Sequence, residues 1–181
     1  STDEEFFGIM PWDNAPNDSA VLRELKECGF TLAGFVEPKT LDACHAAGLK
    51  AIVKDRRITS LNWKQLDEVA AWTNIAAVVE EVGRHPALFG YYLLDEPGVD
   101  SFAGLGRASA LLRELSPGKW PYINLFPNYA TAEQLGTSRY EDYLERYVET
   151  CRPPIVSYDH YALMNNGTLR EGYWLNLEQI R

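Results

Sequence analysis

The chain has 181 residues, of which 46% are hydrophobic and 24% are charged. This composition is ordinary for a globular protein, and the length predicts a single domain over residues 1–181. The formal net charge of −9 makes nucleic acid and anionic lipid unfavourable partners, whereas a neutral ligand meets no such repulsion. No apolar run is long enough to span a membrane, so no membrane association is predicted.

The N-terminal residues STDEEFFGIM contain no basic-then-apolar signal peptide and read as a mature or trimmed terminus. If a signal peptide has been removed, a secreted or periplasmic location is favoured. The three cysteines are far apart in the sequence, which disfavours a disulfide framework and a CxxC metal site. Because no Walker loop, GxGxxG or GxSxG motif occurs either, the sequence predicts no metal and no cofactor.

The chain alternates short apolar runs with amphipathic helical patterns. Helical spacing of apolar residues predicts helices near residues 19–28, 40–47, 69–83, 105–115, 140–151 and 174–181, and a longer loop covers 54–62. Between these patterns lie six strand-like apolar runs, at residues 6–10, 30–36, 49–53, 88–94, 120–126 and 155–158.

Strands that alternate with helices pair in parallel through right-handed crossovers, and runs that are apolar throughout fit strands buried on both faces. Their spacing of roughly thirty residues is close to that of a (β/α)8 barrel. The sequence therefore predicts an α/β fold, a partial or truncated (β/α)8 TIM barrel with about six parallel strands that ends within its sixth βα unit. An open six-stranded sheet is the alternative. In either case the open edge needs a cover, which self-association or a partner chain would supply.

Polar residues follow nearly every predicted strand. In parallel βα folds these strand ends form one rim, where active sites lie. Asp55, Arg56 and Arg57 are explained equally well as solvated loop residues. The remaining candidates are Trp12 and Asp13 after the first run, Asp95 and Glu96 after the fourth, Asn124 in the fifth, and Asp159, His160 and Tyr161 after the sixth.

Asp95 and Glu96 directly follow the most continuous apolar run and precede Pro97. A carboxyl group at the end of a buried strand is partly desolvated, which raises its pKa and suits a general acid near neutral pH. The alternative is that one of them caps the next helix or pairs with an arginine. His160 could orient a carboxylate or contact a substrate hydroxyl, and Trp12 and Tyr161 could stack on sugar rings.

Residues 85–97, HPALFGYYLLDEP, resemble the fourth strand of TIM-barrel glycoside hydrolases of the large retaining clan. That strand ends in Asn-Glu-Pro or a close variant, and the resemblance implies that Glu96 is the acid/base. Asp95 departs from the clan, which usually has an Asn there that contacts the sugar 2-hydroxyl. The clan's nucleophile is a Glu at the end of strand seven, so the resemblance also implies that the last two βα units are missing.

The resemblance implies hydrolysis of O-glycosyl bonds in an oligo- or polysaccharide. Retaining hydrolysis needs two carboxylates about 5 Å apart, so residues 1–181 alone are expected to show little or no retaining activity. One alternative is a non-catalytic carbohydrate-binding or interaction protein on a partial barrel. Another is a metal-dependent barrel enzyme, such as a sugar isomerase, that uses Asp95, Glu96 and Asp159, although the rim lacks a spaced His/carboxylate cluster.

Overall fold

The computed structural model describes residues 6–181 and has one parallel sheet. Within those residues the sheet has five strands, each paired with the next in chain order. A sheet wound in one direction curls toward a barrel, whereas a doubly wound sheet reverses its strand order. The predicted partial (β/α)8 barrel is therefore confirmed as a curled half-barrel. The strands are β1 (Leu32–Val36), β2 (Lys50–Val53), β3 (Leu88–Asp95), β4 (Trp120–Leu125) and β5 (Ser157–Tyr158).

Helices connect the strands, and several begin at an aspartate whose side chain caps the helix. Asp18 accepts hydrogen bonds from the backbone N–H groups of Ala20 and Val21, and Asp67 does the same for Val69 and Ala70. The helices are α1 (Ser19–Glu27), α2 (Leu41–Ala46), α3 (Arg56–Thr59), α4 (Glu68–Val82), α5 (Phe102–Leu115), α6 (Ala132–Leu135), α7 (Tyr140–Cys151) and α8 (Tyr173–Ile180), with 3-10 turns at Pro38–Thr40, Trp63–Gln65 and Val99–Ser101. Among the helices described, none is long and apolar enough to cross a bilayer.

The two faces of the sheet carry different cores. Helix residues such as Ile75, Leu105 and Tyr143 pack with Val53 and Leu93 of the sheet in one large apolar cluster. The opposite face carries a smaller cluster that contains no helix residue, formed by Leu32, Phe35, Ile52, Tyr92 and Tyr122. Right-handed crossovers place all connecting helices on one side, so the smaller cluster marks the concave, inner face of the half-barrel.

The predicted first strand at residues 6–10 is wrong, which reduces the six predicted strands to five. The segment still runs beside β1, because the N–H groups of Thr31 and Leu32 both donate to the Ile9 carbonyl at 3.0 Å. Regular pairing is interrupted by Pro11, which has no N–H, and by Gly34, which has a φ of 91°. A Cβ on Gly34 would lie 2.6 Å from the Asp13 carbonyl oxygen, so this close approach requires glycine.

Two further predictions need adjustment. The predicted loop at 54–62 contains the short helix α3, whose N-cap is Asp55. The sixth run at 155–158 forms only the two-residue strand β5, which pairs with β4 from Asn124 to Ser157. The prolines at 153 and 154 cannot donate ladder hydrogen bonds, which accounts for the short strand. Helix α8 follows where the sequence predicts the sixth helix.

Candidate active site

Glu96 follows β3 directly and has an unusual backbone conformation. Its φ is 47°, and among the described residues the only other non-glycine with positive φ is Arg152, an ordinary helix C-cap. The Glu96 N–H donates to the Asn124 carbonyl at 2.8 Å, and the Tyr143 hydroxyl donates to the Pro97 carbonyl at 2.8 Å. These bonds on either side hold a left-handed residue that an L-amino acid adopts only with strain.

Asn124 is 2% exposed and connects the polar groups at the ends of three strands. Its Nδ2 donates to Asp95 Oδ1 and to Asp159 Oδ1, both at 3.0 Å. Its Oδ1 accepts from Ser157 Oγ at 2.8 Å, and Ser157 Oγ lies 2.7 Å from the Tyr122 hydroxyl. The oxygen and nitrogen of this buried amide side chain thus bond to residues at the ends of β3 and β5, and this holds Asp95 and Asp159 close together.

The surroundings of Glu96 favour its neutral form. Burial raises the pKa of the Glu96 carboxyl, and the negative charges of Asp159 and Asp95 raise it further. Like charges that share a site disfavour ionisation of the most desolvated member. A carboxyl whose pKa is raised in this way suits the role of a general acid.

Aromatic rings line the concave face beside these carboxylates. Trp12 is 47% exposed and packs edge-on against Phe35, with ring centroids 4.8 Å apart. Its centroid lies 6.1 Å from that of Tyr122, and Tyr122 is nearly parallel to Tyr92 with centroids 6.5 Å apart. Flat apolar rings next to hydrogen-bonding groups are typical of sites that bind sugars and other small polar ligands.

Asp13 and Tyr161 lie at the margin of this cluster. The side chain of Asp13 accepts from the N–H of Asn14 at 2.7 Å, and its carbonyl accepts from Phe35 N–H. Tyr161 is 69% exposed, and its backbone N–H donates to the Tyr129 hydroxyl at 3.3 Å. Within residues 6–181, neither side chain forms a hydrogen bond with Asp95 or Glu96.

His160 lies between two aromatic rings rather than against a carboxylate. Its ring is edge-on to Tyr129 at 5.0 Å and to Tyr173 at 5.2 Å. Both ring nitrogens are buried and have no hydrogen-bond partner within residues 6–181. Burial lowers the pKa of this histidine, and the nearby positive charge of Arg170 lowers it further. The neutral imidazole is therefore the favoured form.

The residues after β2 are structural for the most part. Asp55 is 8% exposed and caps α3 by accepting the Arg57 N–H, and its carboxylate also binds the Arg57 guanidinium at 2.6 Å. This bond to Arg57 lowers the pKa of Asp55. Arg57 in turn binds Glu81 at 2.6 Å. Asp55 and Arg57 thus form an ion pair with each other, while Arg56 is exposed.

Sequence reasoning missed several residues that build the site. Ser157 donates a hydrogen bond to Asn124, and Tyr143 donates one to Pro97. Tyr92 and Tyr122 form part of the concave face. Alternation along β3 and β4 would have placed Tyr92 and Tyr122 on one face, because they pair directly across the two strands. No sequence signal points to Tyr143, which lies in an otherwise ordinary helical stripe.

The described residues contain no group of three or more His, Cys, Asp or Glu side chains arranged to hold a metal ion. Asp95 and Asp159 are instead joined by an amide donor, Asn124.

The sequence matches no protein-family model and no curated protein. The fold, however, is similar to several solved glycosidases. A Bacteroides uniformis β-glucuronidase superposes with a TM-score of 0.58 and 14% identity, covering 95% of this chain and 22% of that chain. A plant β-glucan endohydrolase gives 0.55 and 15%, covering 94% and 62%. A β-galactosidase from the psychrophilic Marinomonas ef1 gives 0.53 and 14%, covering 80% and 38%.

These neighbours show what the fold is. The chain has the architecture of part of a TIM barrel, as these glycosidases do, and it spans between 22% and 62% of the length of these three neighbours. At such low identity the similarity carries the fold alone, so substrate and chemistry must be argued from the residues.

Proposed function

We propose that the chain forms the sugar-binding cleft and supplies the general acid/base of a glycoside hydrolase that acts on O-glycosidic bonds of an oligo- or polysaccharide. The observation that carries the proposal is Glu96, a carboxyl with a raised pKa at the end of β3, on a fold similar to glycosidases. A general acid with a pKa raised by burial and neighbouring carboxylates is what leaving-group protonation requires.

In the proposed reaction, neutral Glu96 donates its proton to the glycosidic oxygen as the bond from that oxygen to the anomeric carbon breaks. A nucleophile, which the described residues do not supply, bonds to the anomeric carbon as the leaving group departs. Water then displaces that nucleophile and gives a proton to the Glu96 carboxylate, which restores the acid. Proton transfer of this kind contributes about 10²- to 10⁴-fold to the rate. The residue is regenerated, and the net change is addition of water across the glycosidic bond.

The other two carboxylates have a different role in this proposal. Asp95 and Asp159 both accept from Asn124, and their charges act on the Glu96 pKa. We assign them to keeping the Glu96 proton in place and to accepting hydrogen bonds from sugar hydroxyls, with Trp12 as a stacking face. Retaining hydrolysis needs a nucleophile about 5 Å from the acid, and we assign that role to none of the described residues.

The test is to measure release of reducing ends from a panel of oligosaccharides by the wild type and by Glu96→Gln, with binding measured in parallel by calorimetry. Formate is added in every activity assay as an external nucleophile, because that role is assigned to none of the described residues. Glu96→Gln is expected to lower release by at least about 100-fold and to leave binding within a factor of a few. Glu80→Gln, an exposed substitution on α4, is the matched control and is expected to change neither quantity.

Three outcomes would argue against the proposal in different ways. Unchanged turnover in Glu96→Gln would refute the assignment of the acid. Oligosaccharide binding by the wild type without any release of reducing ends would favour the non-catalytic carbohydrate-binding alternative. Failure to bind any oligosaccharide would contradict both.

A further inference from the structure

A cavity lies on the same rim as the carboxylates, at the ends of two other strands of the sheet. It has a volume of about 540 Å³ and lies between the 14–17 segment and the ends of β1 and β2. Volumes of this size hold a small ligand or one sugar residue. Its wall includes Phe35 and Lys54, which also border the aromatic concave face, so the cavity opens onto the proposed sugar-binding cleft.

The charge of this cavity is opposite to that of the protein. The chain carries a net charge of −9, yet the cavity is lined by Lys39, Lys54 and Arg56 against the single carboxylate of Glu37. Glu37 is already paired with Lys39 at 2.6 Å, on the exposed side of the wall. The remaining cations, Lys54 and Arg56, form no ion pair with any of residues 6–181.

Lys54 is held in place without an anionic partner. Its Nζ lies 4.9 Å from the ring centroid of Tyr92 and 5.9 Å from that of Phe35. The residue is half-buried, and its ammonium group rests on these aromatic rings. A positioned cation that has no carboxylate partner can bind an anionic ligand more strongly than a mobile surface lysine can.

We propose that Lys54 and Arg56 form an anion subsite that binds the carboxylate or sulfate group of an acidic saccharide whose neighbouring sugar residue lies in the Glu96 cleft. The inference rests on the proposed function for the sugar and on the cavity for the anion. The amide side chains of Asn14 and Asn17, which also line the cavity, offer hydrogen bonds to the hydroxyls of the same sugar residue.

The test is calorimetric binding of three oligosaccharides with the same length: one built from uronate residues, one bearing sulfate esters, and one neutral. The acidic saccharides are expected to bind about 10- to 100-fold more tightly than the neutral one, the range expected for charge-assisted hydrogen bonds. The preference should shrink as salt is raised, because the subsite is open to solvent. Whichever acidic saccharide binds more tightly identifies the source of the anion.

Two variants and two controls separate the subsite from general charge. Lys54→Gln and Arg56→Gln are each expected to remove most of the preference for the acidic saccharide. Among the described residues, Arg56 contacts none of the aromatic rings of the concave face, so Arg56→Gln is expected to leave neutral binding unchanged. Arg56 is exposed, so its variant also guards against a folding defect in Lys54→Gln. Lys26→Gln on α1 and Arg84→Gln before β3 make the same charge changes away from the cavity, and are expected to have no effect.

Equal affinity for all three saccharides, or a preference that survives both variants, would overturn the anion subsite while leaving the proposed function intact. Conversely, binding of inorganic sulfate that depends on Lys54, combined with no binding of any saccharide, would support the anion site and refute the proposed function on which its sugar chemistry rests.

Discussion

Replacing Glu96 by glycine tests whether the turn after β3 is strained. A non-glycine residue in the left-handed region costs about 1–2 kcal/mol, and Glu96 has a φ of 47°. Glycine removes that strain but loses about 0.5–1 kcal/mol through its greater freedom in the unfolded chain. At neutral pH, loss of the Glu96 carboxyl, which is less favourably ionised in the folded protein than in water, adds to the gain in stability. Glu96→Gly is therefore expected to stabilise the protein by about 0.5–1 kcal/mol while removing the proposed acid.

The measurement is equilibrium unfolding in urea at neutral pH, where such a gain moves the midpoint by about 0.3–0.5 M. Arg152→Gly is the matched control, because Arg152 has the same φ of 47° at the end of α7 and is not part of the site. It is expected to gain a similar amount without any change in ligand binding.

A loss of stability in Glu96→Gly, together with a gain in Arg152→Gly, would refute the reasoning about Glu96. That result would mean that the Glu96 side chain contributes more to the fold through its contacts than its backbone conformation removes. The strain would then be no sign of a functional constraint at this residue.

Three further predictions concern the site and its support. The stability advantage of Glu96→Gln over the wild type should grow as pH rises from the ordinary carboxyl pKa to the raised pKa of Glu96, because ionisation of Glu96 is unfavourable only in the folded state. Urea unfolding at several pH values measures this advantage, and a difference in free energy of unfolding that does not change with pH would contradict the prediction. Asn124→Leu should lose about 2–4 kcal/mol, since it removes donors to Asp95 and Asp159, and a loss below about 1 kcal/mol would show that the network contributes little. Gly104→Ala in α5 should lose about 1–3 kcal/mol despite the better helix propensity of alanine, because its Cβ would collide with the Trp63 backbone; a higher melting temperature would contradict the packing.

Much of the architecture could be predicted from the sequence because the buried strands are long apolar runs and the helices carry clear stripes. The β3 segment and the helix α7 are such cases, and they lie where the patterns place them. The run at residues 6–10 is equally apolar, yet it forms no regular strand. Its regular pairing is interrupted by Pro11, which the sequence shows, and by Gly34 of the neighbouring strand, which a pattern within one segment does not include.

Part of the site could likewise be predicted from the sequence, and part could not. Its carboxylates were predictable because they end apolar strands, and parallel topology brings strand ends to one rim. The hydrogen bonds that organise them were not, because Asn124 joins residues separated in sequence by 29 and 35 positions. His160 stays a predicted substrate contact, and its ring lies between Tyr129 and Tyr173. That position depends on side-chain packing between loops, which strand-end topology does not determine.

The central claim is that Glu96 is the group at this rim that keeps a proton, and its titration tests the claim most directly. The carboxyl carbon of Glu96 can be followed by ¹³C NMR across the acidic and neutral range, with Glu96→Gln used to assign its signal. The midpoint is expected above the ordinary value of 4.5 and is expected to fall in Asp159→Asn, since Asp159 is one of the charges that raise it. A midpoint at or below 4.5, or one that Asp159→Asn leaves unchanged, would contradict this assignment.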